Sequence, residues 1–283
     1  YPSVVESCRF LERVHGFHVD YVPVDAYGSV DPASVAVALR DDTTLVSIGL
    51  ANGEIGTVQD LPEIARIARE RGALVHTDAV QAVGKVPVRP SELGVDLLSF
   101  TGHKLGGPEG AGVLWVRRGV RLAPLFTGGG QERGRRGGTE NVAAIAGLAA
   151  ALDAALSRLA EEGRRLTALR DCFEEGLRER VPGGKVNGLG PAGGPPTASS
   201  VTFPGADGET LLVALDLEGV AASSGSACSS GTPAPSRVLL ACGLPETEVR
   251  STLRFSFGWT TTEEDVERLL EVLPRLVARV RAA

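Results

Sequence analysis

Residues 73–81 read Ala-Leu-Val-His-Thr-Asp-Ala-Val-Gln, and residues 96–104 read Asp-Leu-Leu-Ser-Phe-Thr-Gly-His-Lys. Each is a short run of strand formers that ends abruptly in polar residues. Asp78 and Gln81 follow the first run; Thr101, His103 and Lys104 follow the second. Strands are therefore expected over Ala73–Thr77 and Asp96–Phe100, and further ones over His18–Pro23, Thr44–Leu50 and Gly112–Arg117. Between them lie helical patterns: Val4–Val14, then Ala33–Arg40 behind an Asp31 cap and Pro32, then Leu61–Arg71 capped by Asp60 and closed by Gly72. Strands and helices alternating at this length imply an α/β fold with a mostly parallel sheet. Ligands of such sheets sit beyond the carboxyl ends of the strands. The chemically capable residues of this half gather at those tips: Asn52-Gly53-Glu54, Asp78 to Gln81, and Thr101 to Lys104.

Beyond residue 140 the character changes. Residues 141–180 are almost all helix formers, expected as one long helix or two in succession. Gly183–Pro196 reads as a Gly/Pro-rich connection. A strand over Ser199–Phe203, a helix over Gly208–Leu217, a strand over Arg250–Phe257 and a closing helix over Glu263–Arg281 suggest a smaller α+β unit. The expected division is a large domain over 1–160 and a small C-terminal domain over 161–283. Residues 221–236 are dominated by Ser, Gly, Ala and Pro, too little to build a core, and read as a mobile loop.

With 43% hydrophobic and 23% charged residues the composition is that of a globular protein. A net charge of −6 leaves no basic footprint for nucleic acid or an anionic membrane. No continuous apolar run reaches the roughly 18 residues of a membrane span, and the N-terminus lacks a signal-peptide pattern. A cytoplasmic protein that binds neither nucleic acid nor membrane is expected. The chain starts at Tyr1 and has no methionine, so residues are expected to precede it. Cys8, Cys172, Cys228 and Cys242 form no CxxC pair and have no histidine at zinc-ligand spacing, so no metal is expected. As free thiols, most should be small buried hydrophobes.

Lysine occurs only at 85, 104 and 185. Lys85 and Lys185 follow glycines at turns and read as solvated surface residues. Lys104, at the ligand end of the sheet, is expected to be partly desolvated, which would lower its pKa and make its amine nucleophilic. An aldehyde cofactor such as pyridoxal phosphate (PLP) needs a lysine, an acid beside the ring nitrogen and donors for a phosphate. Lys104, Asp78, and Thr101 with His103 match those needs, and Gln81 is within reach of the ring oxygen. Taken alone, Asp78 would read as a helix cap, and Cys228 as a small buried hydrophobe. Residues 133–136, Arg-Gly-Arg-Arg, read as a solvated loop. The glycines of 106–112 lead into a strand, not a helix, which argues against a dinucleotide loop.

The segments Asp78–Gln81, Ser99–Lys104, Gly128–Thr139, Ser223–Cys228 and Arg254–Gly258, in that order, resemble the cysteine desulfurases of the iron–sulfur cluster assembly type. The resemblance implies the PLP-dependent transferase fold type I, aminotransferase-like, active as a homodimer. It implies that Lys104 carries PLP as a Schiff base, Asp78 pairs with the ring nitrogen and Gln81 bonds the ring oxygen. Thr101 and His103 would bind phosphate, and Thr139 would reach the phosphate of the partner subunit. Arg254 would clamp the carboxylate of the substrate, L-cysteine, with Asn52 beside it, and Cys228 would be the sulfur-accepting nucleophile. The acceptor beyond Cys228 would be a protein such as an iron–sulfur scaffold. The family usually has a second Asn where this chain has Gly53, so the ring-oxygen bond falls to Gln81. It has a histidine over the ring where this chain has Tyr1, which would stack there instead. The same residues leave room for a selenocysteine lyase, another fold-type-I lyase or aminotransferase, or a truncated non-catalytic member kept as a binding scaffold.

Overall fold

The computed structural model describes residues 2–188, 194–225 and 235–283. It starts with helix α1 (Pro2–His15) and then α2 (Pro32–Ala38), whose Asp31 side chain accepts from Ala33 N at 2.9 Å. Then come β1 (Leu45–Gly49), α3 (Leu61–Glu70), β2 (Leu74–Asp78), α4 (Pro90–Leu93) and β3 (Leu97–Thr101). A single 3-10 turn, Gly102–Leu105, leads to β4 (Gly112–Val116). The four strands form one sheet in sequence order. β1, β2 and β3 run parallel because α3 and α4 carry the chain back between them. β4 runs antiparallel to β3, because residues 102–111 are too few for a crossover.

α3 shows why these residues fold this way. Leu61, Ile64, Ala65 and Ala68 recur at helical spacing and are all buried, packed with Val75 and Leu98 on one sheet face. Gly72, at φ +77°, ends the helix in a conformation that a side chain would resist. Asp60 stands at the N-cap position, but its side chain makes no capping bond. The start of β3 is pinned by buried Asp96, which accepts from Val75 N at 2.8 Å and from Arg117 Nε at 2.6 Å.

After a single turn, α5 (Gln131–Gly134), helix α6 (Val142–Arg180) runs for 39 residues without a break. Asn141 caps it, accepting from Ala144 N at 3.1 Å. Residue 160 lies inside this helix. Next come β5 (Lys185–Asn187), β6 (Ala198–Thr202), α7 (Gly208–Asp216), α8 (Arg237–Ala241), α9 (Glu246–Arg250), β7 (Thr252–Ser256) and α10 (Glu263–Arg281). β5, β6 and β7 make a second, antiparallel sheet. It packs on the C-terminal half of α6 and on α10 around Phe173, Leu177, Phe255 and Leu273. The rings of Phe173 and Phe255 lie 5.0 Å apart at 52°.

Two expectations need correction. Residues 18–23 form no strand: Val22 and Val24 bury part of their side chains against the cores, but among the described residues no strand pairs with them to complete a ladder. The Gly/Pro-rich connection contains β5, held because Val186 packs on the small core. The N-terminal half of α6 contains a stretch that passes for a membrane span by length and average composition, and only 11% of it is buried. Read residue by residue, Asp153 and Arg158 interrupt that stretch, so it is apolar on average without being a continuous run.

Replacing Phe173, which is fully buried, by alanine should cost about 3–5 kcal/mol. Leu217→Ala, at 80% exposure, should stay within about 0.5 kcal/mol of wild type. Urea unfolding midpoints at constant m-value measure both.

Candidate active site

The strand tips converge as the parallel sheet requires. After β1, Asn52 folds back on its own turn, its Oδ1 accepting from Glu54 N at 2.8 Å and Ile55 N at 3.2 Å. That turn drives Glu54 inward to 2% exposure. β2 ends at Asp78, whose Oδ1 accepts from Val80 N at 3.0 Å, and residues 79–86 make successive turns that carry Gln81 and Lys85. After β3, the Thr101 hydroxyl donates to Ala111 O at 3.1 Å, so its 2.9 Å contact with His103 Nδ1 must have the imidazole as donor. Lys104 follows on the 3-10 turn.

α6 holds that turn in place through small residues. A Cβ on Gly147 would lie 2.5 Å from the Pro108 ring, and one on Gly102 would lie 3.2 Å from Leu148. Opposite stands β7 with Arg254, whose backbone pairs with Ser223 and whose Nη1 donates to Gly53 O at 3.4 Å.

Between these elements lies a cavity of about 470 Å³. Gly53, Gln81, Lys104 and Arg254 line it, with Trp259 at its rim. Its charged walls are Lys85, Lys104, Arg158 and Arg254 against Glu54 and Glu162, a surplus of cations. Arg254 Nε is buried without a hydrogen-bond partner among the described residues, as is Glu54 Oε1. A buried guanidinium donor with no partner among the described residues is a ready partner for a carboxylate.

Of the residues singled out in the sequence, Gln81, Lys104 and Arg254 meet on this cavity. Asn52, Asp78, Thr101 and His103 stand at the adjoining tips but do not line it. Thr139 is exposed on the segment before α6. Tyr1, Cys228 and most of the 221–236 loop lie outside the described residues.

The lysine expectations reverse. Lys104 is exposed on its turn, whereas Lys85, expected at the surface, is half-buried in the cavity wall. Burial, then the charges of Lys104 and Arg254, pull the Lys85 ammonium down to about 8. Lys185 is exposed as expected and pairs with Glu248 at 2.9 Å. Among the other cysteines only Cys242 is buried; Cys172 is exposed and Cys8 half-buried. Burial, then Asp25 and Glu54, push the Cys242 thiol up to about 11, which makes it a poor nucleophile at neutral pH.

Sequence reasoning missed His76, and it put Glu54 at a strand tip without giving it a role. His76 sits one pleat before Asp78 on the same sheet face, between Ser47 Oγ at 2.8 Å and Ser99 Oγ at 3.1 Å. Burial lowers its pKa, against the pull of Asp78. The two-residue spacing of His76 and Asp78 on one strand was the available signal.

A family profile, that of the class-V aminotransferases, matches residues 1–269. The chain belongs to this family, in its cysteine desulfurase branch. It is 47% identical over 279 residues to the cysteine desulfurase IscS of Methanosarcina thermophila, covering 99% of this chain and 68% of that one. It is also 47% identical over 281 residues to a cysteine desulfurase of Gluconacetobacter diazotrophicus, covering 99% and 70%. Among solved structures, a NifS-like protein superposes with a TM-score of 0.89 at 35% identity, over 99% of this chain and 73% of that one. The NifS-like protein of Rickettsia africae gives a TM-score of 0.87 at 29% identity, over 98% and 73%. The class-V aminotransferase fold is thus established, with an antiparallel β4 in an otherwise parallel sheet.

Glu54 yields a pH test. Burial raises its pKa, against a Ser236 hydrogen bond and the Arg254 charge. A carboxyl with a raised folded pKa binds more protons folded than unfolded, so stability falls as pH climbs from the ordinary glutamate range through the folded value. Glu54→Gln should flatten that fall and leave the variant more stable than wild type at neutral pH. Thermal melts between about pH 4 and 8 measure it, and parallel curves would contradict it.

Proposed function

We propose that this chain is the PLP-dependent catalytic unit of a cysteine desulfurase, which converts L-cysteine to L-alanine and leaves the sulfur on Cys228. The observation that carries the reading is the convergence of Lys104 and Arg254 on one cation-rich cavity. An anionic cofactor with an aldehyde fits such a site, because it offers a primary amine, an unpaired guanidinium donor and more cations than carboxylates.

PLP, when bound, supplies the electron withdrawal that makes the substrate α-proton acidic and its sulfur electrophilic. Lys104 Nζ holds the cofactor and moves the α-proton. Arg254 takes the substrate carboxylate as a planar two-donor fork, and Asn52 shapes the turn beside it. Asp78 keeps a proton on the ring nitrogen, and Gln81 donates to the ring oxygen. Thr101 and His103 would supply donors for the phosphate, the Thr101 hydroxyl turning from Ala111 O to do so. Cys228 Sγ attacks the substrate sulfur. The carbon–sulfur bond breaks, a sulfur–sulfur bond forms, and the proton lost by the thiol is balanced by one gained at the alanine methyl. No outside oxidant or reductant is needed.

The same reading makes the protein a homodimer. Leu125 and Phe126 are 86% and 69% exposed on the segment before α6, and Val142 at the head of α6 is 70% exposed. With the open apolar stretch of α6 they are exposed apolar groups that a partner subunit would cover, and exposed Thr139 lies between them in sequence. From Cys228 the sulfur would pass to an acceptor protein, such as an iron–sulfur scaffold.

Borohydride reduction in the presence of PLP should leave a pyridoxyl group on Lys104 and none in Lys104→Ala. Cys228→Ala should keep the cofactor absorbance and lose sulfide release from L-cysteine. Undiminished sulfide release by Cys228→Ala would remove the persulfide step, and no trapping at Lys104 would remove the enzyme reading.

A further inference from the structure

Two cations in the cavity, Lys85 and Arg158, have no part in that chemistry, and Lys85 bonds a residue of the proposed cofactor site. Lys85 Nζ donates to Gln81 Oε1 at 2.5 Å. An ammonium has donors only, so the atom of the Gln81 carboxamide that faces Lys85 must be its oxygen. Because the amide is planar, its NH₂ group then points away from Lys85. Gln81 is confined on a second side as well. A Cβ built on Gly53 would lie 2.6 Å from Gln81 Cδ and 2.8 Å from both Cγ and Oε1. Gln81 therefore lies over bare backbone in space that any side chain at 53 would claim.

We propose that Lys85 is the positioning residue of the cofactor site: by holding Gln81 Oε1, it turns the Gln81 amide N–H toward the cofactor ring oxygen, with Gly53 providing the room. The proposal rests on the PLP reading above. A free glutamine has several rotamers and two amide orientations, and fixing them costs entropy on cofactor binding. A charge-assisted bond made beforehand removes that cost. The charged groups that face Lys85 are Lys104 from the 3-10 turn and Arg254 from β7, and Glu54, Arg158 and Glu162 line the same cavity. Since the Lys85 ammonium titrates at about 8, the clamp holds below that pH. It weakens above, where the neutral amine can also accept and no longer selects the amide oxygen.

Two measurements test this. In apoprotein, the Gln81 side-chain amide resonances, identified by their loss in Gln81→Ala, should titrate with a midpoint near 8 and stop titrating in Lys85→Met. In cofactor titrations, Lys85→Met should weaken PLP binding about tenfold, and less than about twofold when Gln81 is already alanine. Lys85→Arg, also a donor-only cation, should recover most of the loss. Equal losses in both backgrounds, or amide resonances indifferent to Lys85, would overturn the positioning role even if PLP binds normally. Wild-type protein that takes up no PLP while its Gln81 resonances still follow Lys85 would overturn the cofactor reading, and this role with it.

Discussion

The packing of α6 against both halves of the molecule is the constraint on which the rest depends. Near its start, Gly147 and Leu148 close on Pro108 and Gly102, which fixes the turn that carries Lys104. Farther along, Arg165 donates to Thr261 O at 2.6 Å and to Gly258 O at 3.0 Å, which fixes the chain just beyond β7 and Arg254. Residues 148 and 165 are separated by about 25 Å of helix. A rod of that length sets how far apart the amine and the guanidinium stand. Small residues at its near end and a two-carbonyl arginine anchor at its far end leave that separation little freedom. The cavity between Lys104 and Arg254 is in this sense a product of one helix.

Electrostatics inside the cavity follow from the same geometry. Bringing Lys85, Lys104 and Arg254 together concentrates positive charge that an anionic ligand would relieve. Glu54 opposes it from a buried position that costs its carboxylate solvation. Glu54 also lies at the base of the segment that carries Cys228: Ser236 hydrogen-bonds to it, and a Cβ on Gly225 would lie 3.4 Å from its Oε1. One buried carboxyl therefore feels the charge of Arg254 and lies against both flanks of the cysteine segment. Desolvation penalties at such a point are tolerated where they organise a site rather than stabilise a fold.

Much of this was legible in the sequence because local physics and tertiary structure agree there. Asp31 and Pro32 begin a helix, Gly72 ends one, and the strand tips deliver Asp78, Thr101 and Lys104 to one end of the sheet. The failures have a common cause: they depend on neighbours that only the fold supplies. Residues 18–23 have strand propensity but, among the described residues, no strand pairs with them. β5 hides in Gly/Pro-rich sequence and is held by the packing of Val186 and by its pairing with β6. Lys85 follows a glycine at a turn, as a surface lysine would, and only the approach of α6 and β7 buries it. Lys104 looked destined for desolvation and stands exposed. Gly53 read as a lost partner for the cofactor, yet it is the space that Gln81 occupies.

The central claim concerns where sulfur goes, and one turnover decides it. Protein loaded with PLP and given a single equivalent of L-cysteine can be digested and its cysteine peptides weighed, with free alanine measured alongside. A desulfurase yields a Cys228 peptide heavier by one sulfur atom, with an equal amount of alanine. Alanine without a heavier Cys228 peptide, or pyruvate and sulfide in its place, would contradict a persulfide-forming enzyme.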